Sequence, residues 1–473
     1  MVASAGSGAA SSDSGCRAPD ARAQTTPARG QARARAWASV AGVTAEPLAP
    51  PRIHRRAIGA LLKLGLASLI VGVATGLAVL LLVWIVHTIE HLVWGHGEGP
   101  FLDGLAMPAV WWLPIVTVGG AGVVAALGWY LLRRFGRKLA TVEQGVDGAH
   151  MPWWETLADT VIQVTSVALG ASIGKEVAPR ELSAMAGSKV VRWFGLDARW
   201  ARILIAAAAG AGLAAVYNVP LAGALFTLEI LLAQFSVGAA VVALSVSAIA
   251  TFVARPLVGD ASLYHVASVE VNPSLVVAAL LIGPLMGWGA TSFATVTKKL
   301  ARFRPTGWKL LVVLPLTFAA VGAVGAFFPL ILGNGRALAT AGFDLSQPAL
   351  ILLLLALLKY VATTVSLGSG AIGGTLQPSV AIGAALGAAA AAGWAFVWPG
   401  ADGTALAIVA AAAFLASNMR APFTAIALVI EFTDTGFTLL LPIFLAVAGS
   451  LAASRLSSRA GLRRFAPIDP ARP

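Results

Sequence analysis

Charge is scarce in this chain. Asp, Glu, Lys and Arg make up 11% of its residues, against about 25% in a typical soluble domain. With 58% hydrophobic residues and a mean hydropathy of +0.83, a soluble globular fold is excluded. Cysteine is almost absent: Cys16 stands alone, which excludes an intrachain disulfide and matches no metal-ligand spacing. Tyrosine is rare too, with none after Tyr360. Acidic residues are fewer than basic ones, 21 against 33. The basic excess forms no stripe interleaved with aromatics, so a nucleic-acid partner is excluded. It lies instead beside the apolar runs, before the first (Arg52, Arg55, Arg56), after the last (Arg455, Arg459, Arg463, Arg464) and in the loops at 133–138 and 298–304. By the positive-inside rule both termini and these loops face the cytoplasm.

What fills the chain is a series of apolar runs, among them 57–86, 109–132, 203–235, 275–293 and 310–332. Several reach the ~20 residues that cross a bilayer core, while others are shorter and interrupted by Gly or Pro. Broken backbone at membrane depth is tolerated only where protein buries it or a wet cavity receives it. The pattern therefore predicts an all-α polytopic channel or transporter of many tilted and broken helices, embedded in a lipid bilayer. Residues 1–52, rich in Ala, Ser, Gly, Pro and Arg, read as a disordered basic tail. Residues 53–460 read as the transmembrane domain and 461–473 as a short cytoplasmic tail.

Two sets of punctuation recur in the same order. Gly174 has Pro179 five residues on, and Gly373 has Pro378 five residues on. Asn218-Val219-Pro220 precedes Glu229, and Arg420-Ala421-Pro422 precedes Glu431, each Glu nine residues after its Pro. This points to a duplication with halves at roughly 57–255 and 270–460. Interrupted segments at matching places in two halves mark a midplane transport site, because fresh helix N-termini aim N–H groups and a positive dipole end at an anion. Pro179, Pro220, Pro378 and Pro422, with Glu229 and Glu431, read as structural helix-end residues. Glu176 is a carboxylate in an apolar, Gly-flanked segment, a functional residue by default. A site that holds a carboxylate at a helix start can hold a small anion in its place, and a protonated Glu176 would no longer compete. It is thus the candidate gate and proton acceptor.

These stretches, with Gly368-Ser369-Gly370-Ala371-Ile372-Gly373-Gly374-Thr375-Leu376-Gln377-Pro378 and Glu431-Phe432-Thr433-Asp434, resemble the CLC family of chloride channels and chloride/proton antiporters, of the prokaryotic type without C-terminal CBS domains. The resemblance covers roughly residues 57–460. It implies no enzymatic activity and no cofactor, but a homodimer with one pore per subunit in a bacterial inner membrane. The substrates would be chloride or similar small anions and, if the gate also transfers them, protons. The anion-binding residues it implies are Gly174, Lys175, Val177, Gly374, Thr375, Leu376 and Gln377. Counting back from Val146-Asp147-Gly148-Ala149 adds Thr141 at the place of the family's coordinating Ser.

Three departures stand out. Val177-Ala178 precedes Pro179 where the family has a single Gly. The family's central Tyr should fall near 460–465, where Phe465 offers no hydroxyl. The inner carboxylate of the antiporters should follow Glu229, and Ile230 is there instead, which argues against stoichiometric proton coupling. A reading from another class is a membrane zinc protease, since His87-Thr88-Ile89-Glu90-His91 spells H-x-x-E-H. It lacks a third ligand, and these residues lie where the first span leaves the bilayer, so the transport reading is preferred.

Overall fold

A computed structural model describes residues 55–95, 110–266 and 268–457. The tail at 1–52 with Cys16, the tail at 461–473, and the segment 460–465 with Phe465 lie outside the described residues. The chain divides into two compact units at Ile58 and Gly59. Of the first unit only residues 55–58 are described, and the helix bundle belongs to the second.

The described residues form 16 α-helices and no strand. In order they are α1 (Arg55–Trp94), α2 (Leu113–Phe135), α3 (Val142–Val146), α4 (Trp153–Ala168), α5 (Val177–Phe194), α6 (Ala198–Tyr217), α7 (Pro220–Phe226) and α8 (Val237–Val258). The second series is α9 (Pro273–Ala301), α10 (Leu310–Phe327), α11 (Arg336–Phe343), α12 (Ala349–Gly368), α13 (Leu376–Trp394), α14 (Gly403–Met419), α15 (Pro422–Thr433) and α16 (Leu440–Ser457). Among the described residues nine helices are long and apolar enough to cross a membrane, while α14 and α15 are shorter apolar helices. The long ones carry exposed Leu, Val and Trp side chains on one side, such as Val116, Val123 and Leu127 of α2 and Leu350, Leu353 and Leu357 of α12. That is the surface a bilayer solvates.

Helices in an apolar solvent cannot be driven together by hydrophobicity, so close backbone contact must do it. Gly283 and Gly287, one turn apart on α9, lie against the backbone of Ala446 and Ser450 on α16. A β-carbon at either would meet that backbone.

The paired punctuation marks matching helix ends. Asn218 closes α6 at φ 56° and Arg420 closes α14 at φ 57°, both left-handed. Each is followed by one residue and a Pro that opens the next helix, α7 or α15, which suits a residue whose missing N–H would find no partner there. The carboxylates nine residues later are exchanged. Glu229, in the π-helical turn Thr227–Leu231 after α7, accepts the N–H groups of Phe423 and Thr424 (3.2 and 2.7 Å) and the Thr424 hydroxyl. Glu431 accepts those of Leu221 and Ala222 (3.0 and 2.7 Å). Each half caps the short helix of the other.

Hydrogen bonds to a charged group contribute about 1.5–3 kcal/mol. Glu431→Ala should therefore lower the thermal unfolding midpoint in detergent by several degrees, with Glu431→Gln intermediate. An unchanged midpoint would show that the exchanged caps carry no stability.

Candidate anion site

α5 begins directly after Glu176, its N-cap residue, and no side chain caps that helix start. Instead of folding back, the carboxylate crosses to the other half. Its Oε1 accepts the N–H of Leu376 at 2.7 Å, the first residue of α13, whose own N-cap Thr375 offers no side-chain cap either. One carboxylate thus lies between two helix N-termini, the place where unpaired N–H groups and the dipole favour negative charge. Glu176 is 1% exposed, and its Oε2 has no hydrogen-bond partner.

The backbone around it leaves no room for other side chains. Gly174 and Gly374 exchange both backbone hydrogen bonds at 2.9 Å, an isolated antiparallel bridge between the halves. A β-carbon on either glycine would overlap the Glu176 carboxylate. The strip just upstream is tied down as well. Gly333 N–H donates to Gly170 O (2.9 Å) and Ser172 Oγ to Ile331 O (2.8 Å). Lys359 Nζ donates to Ser172 Oγ, Ile331 O and Gly333 O at 3.0, 2.9 and 2.7 Å.

A cavity of about 340 Å³ opens in front of Glu176. It brings Glu176, Val177, Gly374, Thr375 and Leu376 together. Thr141, Gly174, Lys175 and Gln377 do not line it. Gly174 instead supports the carboxylate from behind through the bridge. Thr141 is the exposed N-cap of α3, its hydroxyl accepting from Gln144 N–H while Gln144 Oε1 accepts from Thr141 N–H. Lys175 lies over the Tyr217 ring, Nζ 5.7 Å from its centroid. Gln377 is fully buried and donates to the Tyr264 hydroxyl at 2.8 Å. Thr375 Oγ1 accepts from Asn418 Nδ2 at 3.1 Å. Pro179 and Pro378 are buried in the first turns of α5 and α13.

Side chains that the motif reading passed over also meet here. Arg180, Lys298 and Arg304 line the cavity. Behind α5, Gln163 Nε2 donates to both Asp159 Oδ2 and Glu181 Oε2 at 2.8 Å, and Trp129 Nε1 donates to Asp159 Oδ1 at 2.8 Å. A charge inside an otherwise apolar helix was the available signal for Lys359. Lys175 and Arg336 lie within electrostatic reach of His87, and Glu90 lies within reach of Lys175. Among the described residues no three His, Cys, Asp or Glu side chains gather as metal ligands.

The family model described as voltage gated chloride channel matches residues 121–455. This chain belongs to that family. It is 31% identical over 404 residues to a putative chloride channel protein, ClcB-like, of Ralstonia nicotianae, covering 81% of this chain and 91% of that protein. It is 28% identical over 367 residues to the H(+)/Cl(−) exchange transporter ClcA of Yersinia pestis, covering 72% and 74%. Among solved structures, a slow cyanobacterial Cl−/H+ antiporter superposes with a TM-score of 0.72 at 24% identity, covering 86% of this chain and 99% of that one. A CLC-type fluoride/proton antiporter gives 0.65 at 23%, covering 83% and 95%. These two show the shared fold. The chain is thus an integral multi-pass membrane protein of the CLC family.

Gly374→Ala should push the Glu176 carboxylate off Leu376. Peptide mapping after labelling with an apolar carbodiimide should then find Glu176 several-fold more modified than in the parent protein. Equal labelling would mean that the carboxylate keeps its place and the glycine is dispensable.

Proposed function

We propose that this protein carries chloride or similar small anions across a membrane through a pore in each subunit, with Glu176 as its gate. The observation that carries this reading is the hydrogen bond from Leu376 N–H to Glu176 Oε1. A carboxylate is an anion tethered to the chain, so the seat it occupies suits a free one. While ionised, Glu176 competes for the Leu376 N–H. Once protonated it loses that advantage, and the anion takes over the dipole end of α13. Val177, Gly374, Thr375 and Leu376 supply the seat's wall, with Gly174 and Gln377 holding the backbone behind it. Lys175 acts from further out, by its charge.

The transmembrane domain in this reading runs over 53–460, with the termini and the basic loops 133–138 and 298–304 cytoplasmic, in a bacterial inner membrane. Exposed apolar residues at the start of α7, α8 and α15, among them Leu221, Val241 and Phe423, suit a homodimer face. A second reading, exchange of anions for protons, is favoured by the carboxylates of Asp159 and Glu181, held by one Gln163 amide. They supply proton-accepting groups on and beside the helix that starts at the gate, where Ile230 supplies none.

Reconstituted into liposomes, the parent protein should pass chloride faster as pH falls, since protonation frees the seat. Glu176→Gln should pass it at a high rate at every pH and move no protons against their gradient. A variant that keeps the parent's acid activation would remove Glu176 from the gate. Uphill proton movement by the parent on a chloride gradient selects exchange over a channel.

A further inference from the structure

Among the described residues, Arg180 is the one cation of the cavity that stands on the gate's own helix. It lies a turn beyond Glu176 on α5 and lines the same cavity as Glu176 and Leu376. Its guanidinium carbon is 5.1 Å from the centroid of the Phe226 ring, a contact that fixes a flat cation while leaving its N–H edge free. The Nε is buried and has no hydrogen-bond partner. Among the described residues no ion pair joins Arg180 to Glu176, although the two charges lie within electrostatic reach of one another. Lys298 is a point charge at the cavity wall, and Arg304 already donates its Nε to Leu367 O at 3.0 Å. Arg180 is therefore the guanidinium of this cavity whose Nε remains unspent.

The occupant of the seat is instructive about shape. Glu176 presents a planar, two-oxygen anion, with one oxygen on Leu376 N–H and the other without a partner. A guanidinium matches planar oxyanions through two parallel N–H donors, while a halide offers it a single point. We propose that Arg180 is a specificity-determining residue and that the site prefers a small planar oxyanion of the nitrate class over a halide. One oxygen of the anion would take the Leu376 N–H that Glu176 gives up, and another would take the Arg180 edge. This rests on the transport reading and names its substrate class.

The test compares nitrate and chloride flux from proteoliposomes for the parent protein, Arg180→Lys and Arg180→Gln. The parent should carry nitrate about tenfold faster than chloride at equal low concentration, the worth of one charge-assisted hydrogen bond. Arg180→Lys keeps the charge and removes the planar fork, so its nitrate-to-chloride ratio should fall close to one. A role in folding or in general attraction of anions would scale both fluxes and leave the ratio alone. A parent that carries chloride at least as well as nitrate overturns the proposal, as does a ratio that Arg180→Lys leaves intact. If neither variant reconstitutes, calorimetry of nitrate and chloride binding to the parent reads the same preference, and tighter chloride binding overturns it. Absence of both fluxes in the parent would instead remove the transport reading itself.

Discussion

Backbone that leaves the helix at membrane depth has no water to satisfy it, and this constraint governs the centre of the molecule. Every unpaired N–H there must find protein, or a ligand, or cost several kcal/mol. The two broken strips at 170–176 and 370–376 meet this demand mutually. Gly174 and Gly374 pair with each other, and the one strip's carboxylate takes the other's first helical N–H. Because the bridge has glycine on both sides, the carboxylate can lie over it. Because it lies there, two helix starts face one negative charge. The proposed anion seat is thus a by-product of how a broken bundle satisfies its own backbone.

The same logic extends outward. Glu229 and Glu431 cap helices of the opposite half, and Lys359 spends three N–H donors on Ser172, Ile331 and Gly333. Ser172 Oγ already donates to Ile331 O, so it can only accept from Lys359, which leaves the amine with all three protons in use. A positive charge without a carboxylate partner is costly in such surroundings, but here it fastens the strip that leads to Glu176. The cavity side has the opposite character. Arg180 and Glu176 line a cavity, and their buried Nε and Oε2 are without hydrogen-bond partners.

Much of the scaffold was legible from residue types. Glycine five residues before proline marks the starts of α5 and α13, and Asn218 and Arg420 before their prolines mark the left-handed turns into α7 and α15. These are local effects of missing β-carbons and missing N–H groups, so sequence carries them. Partnerships between halves were not legible. Nothing local to Glu176 tells that Leu376 completes it, because only the packed bundle brings them together. Thr141 shows the limit of counting along a chain. Thr141-Val142-Glu143-Gln144 has the pattern of a capping box, and in the structure it is one, outside the cavity in front of Glu176. Arg180 was overlooked because it follows Pro179 in the first turn of a helix, where a charged residue is unremarkable until Phe226 and the cavity are seen around it.

The central claim is that Glu176 and a permeant anion compete for one N–H. Crystals of Glu176→Gln and of the parent protein at alkaline pH, both grown in bromide, would test it through anomalous scattering. A bromide peak is expected within hydrogen-bond distance of Leu376 N in the variant and none there in the parent, where the carboxylate fills the place. A peak at that nitrogen in both proteins, or in neither, would contradict it.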